Sequence, residues 1–265
     1  MLIIGEKINA TRKAVKAAIE GRNEAQIQEL ATTQAAAGAN YLDVNGGDPR
    51  EGMEVKNMQW LIELVQGCTD KPIAIDSANP QAIEAGLKLV KAKPILNSIS
   101  LESERLTNLL PIVGSHDCMV VALCMSDEGT PCGTDDRVAR AHQIVEKLMA
   151  AGKKPEDIIV DPCFFPISAN SADGKAVIDA IARIRAELPG VLVGGGVSNS
   201  SYGLPARKLI NFAMITNSIY SGMNAAIVDP CLPGMMQTIW AAEAVSGADE
   251  WCTNYIGAHR EGRLQ

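Results

Sequence analysis

Apolar residues along this chain alternate between two textures. Short runs rich in aliphatic and β-branched residues occur at MLIIGEKI (1–8), NYLDVN (40–45), PIAIDS (72–77), PILNSI (94–99), CMVVALCM (118–125), DIIVDP (157–162), GVLVGGGV (190–197) and AAIVDP (225–230). Their length and composition are those of buried strands. Between them lie longer stretches with apolar positions three and four apart. In NEAQIQELATTQAAAG (23–38), Ile27, Leu30 and Ala31, then Gln34, Ala35 and Gly38, follow helical spacing, with Gly38 as a stop. GMEVKNMQWLIELVQGC, PQAIEAGLKLVKA, ESERLTNLLPIV, TDDRVARAHQIVEKLMAAG, DGKAVIDAIARIRAEL and LPARKLINFAMITNSIYSGM read the same way, and PGMMQTIWAAEAVSGA closes the series. A strand followed by a helix, eight times over, predicts an α/β chain folded as a (β/α)8 TIM barrel, with residues 1–265 as one domain.

In NYLDVN and DIIVDP the apolar residues give way to polar ones at the end of the run, as expected where a buried strand emerges at the functional face of a barrel. Glu6, Asp43, Asn45, Asp76, Asn97, Asp161, Asn199 and Asp229 are therefore expected to ring one mouth. Any one of them could simply cap the next helix: Asp76 precedes SANP, and Asp161 precedes PCFFP. A ring of eight argues instead for a shared ligand.

Composition narrows what that ligand is. With 47% hydrophobic residues in 265, the chain can bury a large core, and its net charge of −7 argues against a nucleic-acid partner. The seven cysteines are scattered, with no Cys-x-x-Cys pair and no His at zinc spacing, and read as reduced, mostly buried thiols. The N-terminal apolar run is too short for a signal-peptide core and no later run spans a bilayer, so a cytoplasmic protein without membrane attachment is expected. His116, His142 and His259 fall in a loop, a helix and the tail, so neither a Ser-His-Asp arrangement nor a His-ligated metal is suggested. Clustered carboxylates could hold Mg²⁺, but the interleaved carboxamides suit another task at least as well. Carboxylates with Asn side chains, and no cation, match a neutral heterocycle bearing adjacent N–H donors and a carbonyl, such as a pterin. The methionines, Met119, Met125, Met149, Met223, Met235 and Met236 among them, are expected to fill the core. Trp60 and Trp240 are expected to pack on the barrel, and Arg207 to lie on a helix surface.

IIGEKIN, GANYLDVNGG (38–47), IAIDSANPQAIEAGL (73–87), LNSIS (96–100), IIVDP (158–162) and GGVSNSSYGLPAR (195–207), in this order, resemble the pterin-binding barrel of methyltetrahydrofolate:corrinoid methyltransferases. The same barrel is similar to the folate domain of cobalamin-dependent methionine synthase and, more distantly, to dihydropteroate synthase. Carried over residue by residue, the resemblance implies that Asp76, Asn97 and Asp161 bind the pterin edge, that Glu6, Asp43 and Ser198 lie at or beside it, and that Asn199 acts catalytically near N5. The glycines before Asn199 are expected to let the backbone approach a flat ligand.

The substrate implied is tetrahydrofolate or 5-methyltetrahydrofolate, and the corrinoid is implied to arrive on a separate protein, since no Asp-x-His-x-x-Gly element stands in the chain. No metal site is expected. A homodimer is a further implication. The direction of methyl transfer stays open, leaning toward methylcorrinoid to tetrahydrofolate in the demethylation of methylamines, betaines or methoxylated aromatics. The alternatives are a dihydropteroate synthase-like enzyme and a folate-binding subunit without chemistry. The first calls for an Asn-x-Thr-Pro-Asp-Ser-Phe type loop after strand one, where this chain has NATRKAV. Asn224 stands where relatives are expected to carry Asp, with a changed partner surface or pocket edge as the anticipated consequence.

Overall fold

The computed structural model describes residues 1–264. Its eight strands are β1 (Leu2–Asn9), β2 (Tyr41–Asn45), β3 (Ile73–Asp76), β4 (Ile95–Leu101), β5 (Met119–Ser126), β6 (Ile158–Asp161), β7 (Leu192–Gly196) and β8 (Ala225–Val228). All neighbours pair in parallel and β8 returns to β1, closing the barrel in sequence order. Every predicted run thus becomes a strand.

Period two divides each strand between two cores. Inside the barrel, Ile4, Ala74, Ile95, Val121, Ile159 and Ala225 form an apolar plug. Residues pointing the other way, such as Leu42, Val44, Ile73, Ile75, Val120 and Val160, join the larger core beneath the helices. Two positions beyond the plug, the inward series reaches Glu6, Asp43, Asp76, Asn97 and Asp161. The plug closes the barrel from below, so the polar groups open in one direction only.

The helices are α1 (Lys13–Glu20), α2 (Glu24–Ala37), α3 (Met53–Cys68), α4 (Pro80–Leu87), α5 (Ser103–Ser115), α6 (Gly133–Ala150), α7 (Asp173–Glu187), α8 (Arg207–Tyr220), α9 (Met235–Ser246) and α10 (Thr253–Arg260). In α2, Ile27, Ala31 and Gln34 are buried, and Gly38 ends the helix at φ 110°, a backbone state that costs glycine little. Two helices were not expected. Both are only eight residues long: α1 buries Val15, Ala18 and Ile19 at helical spacing but lacks a side-chain cap to mark its start, and α10 buries only Ala258 and so carries a weak periodic signal. His259 accordingly lies in a helix rather than a tail.

Several side chains depart from expectation. Met149 is exposed, because α6 turns that position outward, whereas Met223, Met235 and Met236 are buried as expected. Of the seven free thiols only Cys118, Cys124 and Cys163 are buried. Asn224 lies at the closed end of the barrel, where its Oδ1 accepts the Val193 amide at 2.8 Å and its own amide donates to Val193 O. It stitches β7 to β8 far from the mouth, so a pocket-edge role is excluded. No described helix is long and apolar enough to cross a membrane.

Candidate active site

At the open end lies a cleft of about 320 Å³, at the lower end of the range for small-molecule sites. Glu6, Asp43, Asp76, Asn97, Asp161, Ser198 and Asn199 all line it. Five of the seven come from the ends of five different strands and the last two from the 3-10 turn Val197–Ser201 that follows β7. Asn45 is nearby but serves the protein: its Nδ2 donates to Asp76 Oδ2 at 3.1 Å. Asp229 turns away, pairing with Lys7 at 3.4 Å and accepting the Cys231 amide. Sequence reasoning missed Asn9, Thr11 and Arg12 in the β1–α1 loop, and the apolar walls Leu123 and Ile227. Period two carried from Ile4 and Glu6 stops one short of Asn9, because the β1–β2 register shifts between Gly5 and Ile8. Arg12 also corrects the expectation of a site without cations.

The polar groups are oriented by one another, each with valence left over for a ligand. Asp76 Oδ2 accepts from both Asn9 and Asn45, each at 3.1 Å, which fixes the carboxylate in the cleft wall. Asn97 donates Nδ2 to Asp43 Oδ1 at 3.0 Å, which leaves its own oxygen to accept a ligand N–H. Asp161 Oδ1 accepts the Cys163 amide at 2.8 Å, and the Gly196 amide also donates to this carboxylate. Glu6 is held from two sides, by Arg12 Nη2 at 3.0 Å and by Ser198 Oγ at 3.3 Å.

Burial dominates the electrostatics. It pushes Asp161 up to about 6, against the stabilising amides of Cys163 and Gly196. Burial raises Asp43 well above the usual range, and the neighbouring Asp76 charge adds to the effect. Asp76 is raised by burial too, opposed by the Asn45 and Asn9 bonds and the charge of Arg105. Asp43 and Asp76 titrate as a pair, burial and their mutual repulsion favouring retention of a proton between them. Glu6 is raised by burial and lowered by Arg12. A cleft of this kind carries less negative charge than its four carboxyls suggest and can accept a neutral ring.

The three glycines have a different purpose from the one expected. A Cβ on Gly194 would meet Ala225 O at 1.6 Å, and one on Gly195 would meet Asp161 Oδ2 at 2.1 Å. These two residues make room for the β8 backbone and for the Asp161 carboxylate, not for a ligand. Gly196 alone lines the cleft, and a Cβ there would lie 3.0 Å from Asn199 Nδ2.

Two arginines hold the strand ends in place. Arg105 on α5 donates to Ser98 O at 3.0 and 2.8 Å, fixing the residue after Asn97. Arg137 on α6, fully buried, donates to Pro162 O, Gly133 O and Cys163 O and pairs with Asp173. Arg207 is exposed, as expected, yet donates to Ser198 O at 2.7 Å and Ser201 Oγ at 2.9 Å. Among the described residues no three His, Cys, Asp or Glu side chains are placed to hold a metal ion.

A closed parallel barrel with a carboxylate and carboxamide cleft at its C-terminal mouth defines the class of pterin-binding barrels. Residues 5–229 match the family of pterin binding enzymes, and the chain belongs to that family. Over its whole length it is 36% identical to a methylcorrinoid:tetrahydrofolate methyltransferase of Eubacterium limosum, 98% of which is covered. It is 27% identical, over 86% of its length, to part of the methionine synthase of Mycobacterium tuberculosis, spanning 20% of that longer protein. Among solved structures it is similar in fold to dihydropteroate synthase of Coxiella burnetii in complex with pteroic acid (TM-score 0.74, 15% identity, 94% of each chain). The Yersinia pestis dihydropteroate synthase with a pterine-sulfa conjugate is similar to the same degree (TM-score 0.73, 18% identity, 93% of each chain).

Proposed function

We propose that this enzyme moves a methyl group between N5 of tetrahydrofolate and the cobalt of a corrinoid carried by a separate protein. The observation that carries the reading is the end-to-end similarity to the Eubacterium limosum methyltransferase, joined to a cleft that keeps the expected polar set. Methylcorrinoid to tetrahydrofolate is the direction we assign, after that relative. A cytoplasmic homodimer belongs to the same proposal.

In this reading Asp76, Asn97 and Asp161 hold the pterin edge, with Asp43 orienting Asn97, and Glu6 and Ser198 bracing the rim. Asn199 faces N5. When N5 attacks the methyl group, its lone pair becomes the new N–C bond and both electrons of the cobalt–carbon bond stay on cobalt. N5 then carries a proton that must leave. The Asn199 oxygen can accept the hydrogen bond of the cationic N5–H, stabilising charge as it develops without itself titrating. Asp161, pushed up to about 6 by burial, can receive that proton through water.

The test is anaerobic mixing of the protein with tetrahydrofolate and methylcobalamin, then with a purified methylated corrinoid protein, following the cobalt absorbance bands. Loss of the methylcobalt band with formation of 5-methyltetrahydrofolate is expected. Tight folate binding without turnover in either mixture would refute the methyltransferase reading in favour of a binding subunit.

A further inference from the structure

Asp43, Asp76 and Asp161, on β2, β3 and β6, line the cleft just above the apolar plug. The cations near Glu6 come from two places: Arg12, in the β1–α1 loop, lines the cleft, and both Arg12 and Arg207 lie near enough to Glu6 to lower its proton affinity. Arg12 is also built in. Asn9 donates to Asp76 and accepts from the Thr11 amide at 3.0 Å and Thr11 Oγ1 at 2.6 Å, which ties the β1–α1 loop into the cleft wall. Glu6 then takes Arg12 Nη2 end-on at 3.0 Å. Among the described residues the guanidinium Nε and Nη1 have no hydrogen-bond partner, and the side chain is 44% exposed. A guanidinium held by one corner and open on the rest of its fork is arranged to take a second carboxylate.

On the proposed reading of the cleft as a pterin site, we infer that Arg12 is the recognition residue for the carboxylates of the glutamyl tail of a folate. The tail accordingly leaves the barrel between the β1–α1 and β7–α8 loops. The inner part of the cleft suits the neutral ring and disfavours an anionic tail, because Asp43, Asp76 and Asp161 line it. A cleft of about 320 Å³ places the charged end of so long a ligand at the rim. Lys13 and Lys16, exposed on the first turn of α1, extend the same positive edge outward for tails with more than one glutamate.

The test is calorimetric titration with three ligands: 6-methyltetrahydropterin, which has no tail, tetrahydrofolate, and its triglutamate. Arg12→Gln is expected to weaken tetrahydrofolate about fivefold, as for a partly exposed ion pair, and the triglutamate at least as much. The ratio of tetrahydrofolate to 6-methyltetrahydropterin affinity should fall by the same factor, and Arg12→Lys should restore part of it. In the unmodified protein, raising NaCl from about 50 to 500 mM should lower that ratio through screening. A ratio unmoved by Arg12→Gln and by salt, with both ligands still bound, would overturn the Arg12 assignment and leave the pterin site standing. Failure of the unmodified protein to bind any of the three would overturn the pterin reading itself, and the tail assignment with it.

Discussion

Asp161 offers the sharpest test of the site's energetics, because one substitution should strengthen the fold and disable the cleft. The residue is buried and its carboxyl sits near 6 instead of the usual 3.8. A carboxylic acid whose folded value is raised makes the folded state bind the proton more tightly than the unfolded chain does. Its penalty is therefore absent below the unfolded value, grows between about pH 4 and 6, and is full above 6. The shift corresponds to about 3 kcal/mol at pH 8 and about half of that at pH 5. Asn at this position keeps an oxygen for the Cys163 amide and never ionises. Asp161→Asn should accordingly raise the melting temperature of the ligand-free protein by about 5 °C at pH 8, for a chain of this length, and by roughly half as much at pH 5. Tetrahydrofolate affinity should drop by about 10²-fold, since a charge-assisted bond to the ring is lost. Scanning calorimetry at the two pH values decides the matter. A stability gain that does not depend on pH, or a variant less stable at pH 8, would refute the assignment of a destabilising buried charge to Asp161.

Other substitutions separate the remaining roles. Asn199→Ala should slow methyl transfer about 10²-fold, or roughly 3 kcal/mol, while folate affinity stays within a few fold; equal losses in rate and binding by single-turnover kinetics would make Asn199 a ground-state contact only. Gly195→Ala puts a methyl group 2.1 Å from Asp161 Oδ2 and should cost about 1–3 kcal/mol in a urea titration together with most folate binding. Retained binding would show that Asp161 can move without consequence. Arg137→Met strands the buried Asp173 carboxylate and should cost about 3–5 kcal/mol, most of it recovered in the double variant Arg137→Met with Asp173→Leu. No recovery in the denaturation midpoint would mean that the carbonyls of Pro162 and Cys163, rather than Asp173, set the cost.

The strand order and the polar ring were legible because a parallel barrel strand is buried on both faces. Such strands read as apolar runs, and the place where each run turns polar marks the mouth. Glu6, Asp43, Asp76, Asn97 and Asp161 follow from that rule. Asn199, just beyond β7, was placed at the mouth by the same rule, whereas Ser198 was found by likeness of motif, since a 3-10 turn has no periodic signature. What period two could not deliver was Asn9 and Arg12, which depend on a register shift and a loop conformation. The purpose of Gly194 and Gly195 was hidden as well: their neighbours, Ala225 and Asp161, are remote in sequence and meet them only when the barrel closes. Asn224 was equally opaque, since its partner Val193 lies on the adjacent strand.

The sequence by itself determined a closed (β/α)8 barrel with carboxylates and carboxamides at one mouth, because local apolar periodicity and strand-end polarity are one-dimensional properties. The tertiary structure alone decided how the polar groups orient one another, how far burial raises the carboxyls and where the positive edge lies. Those properties arise from burial and from contacts between residues far apart in the chain, and in a low-dielectric cleft such contacts outweigh the intrinsic character of each side chain.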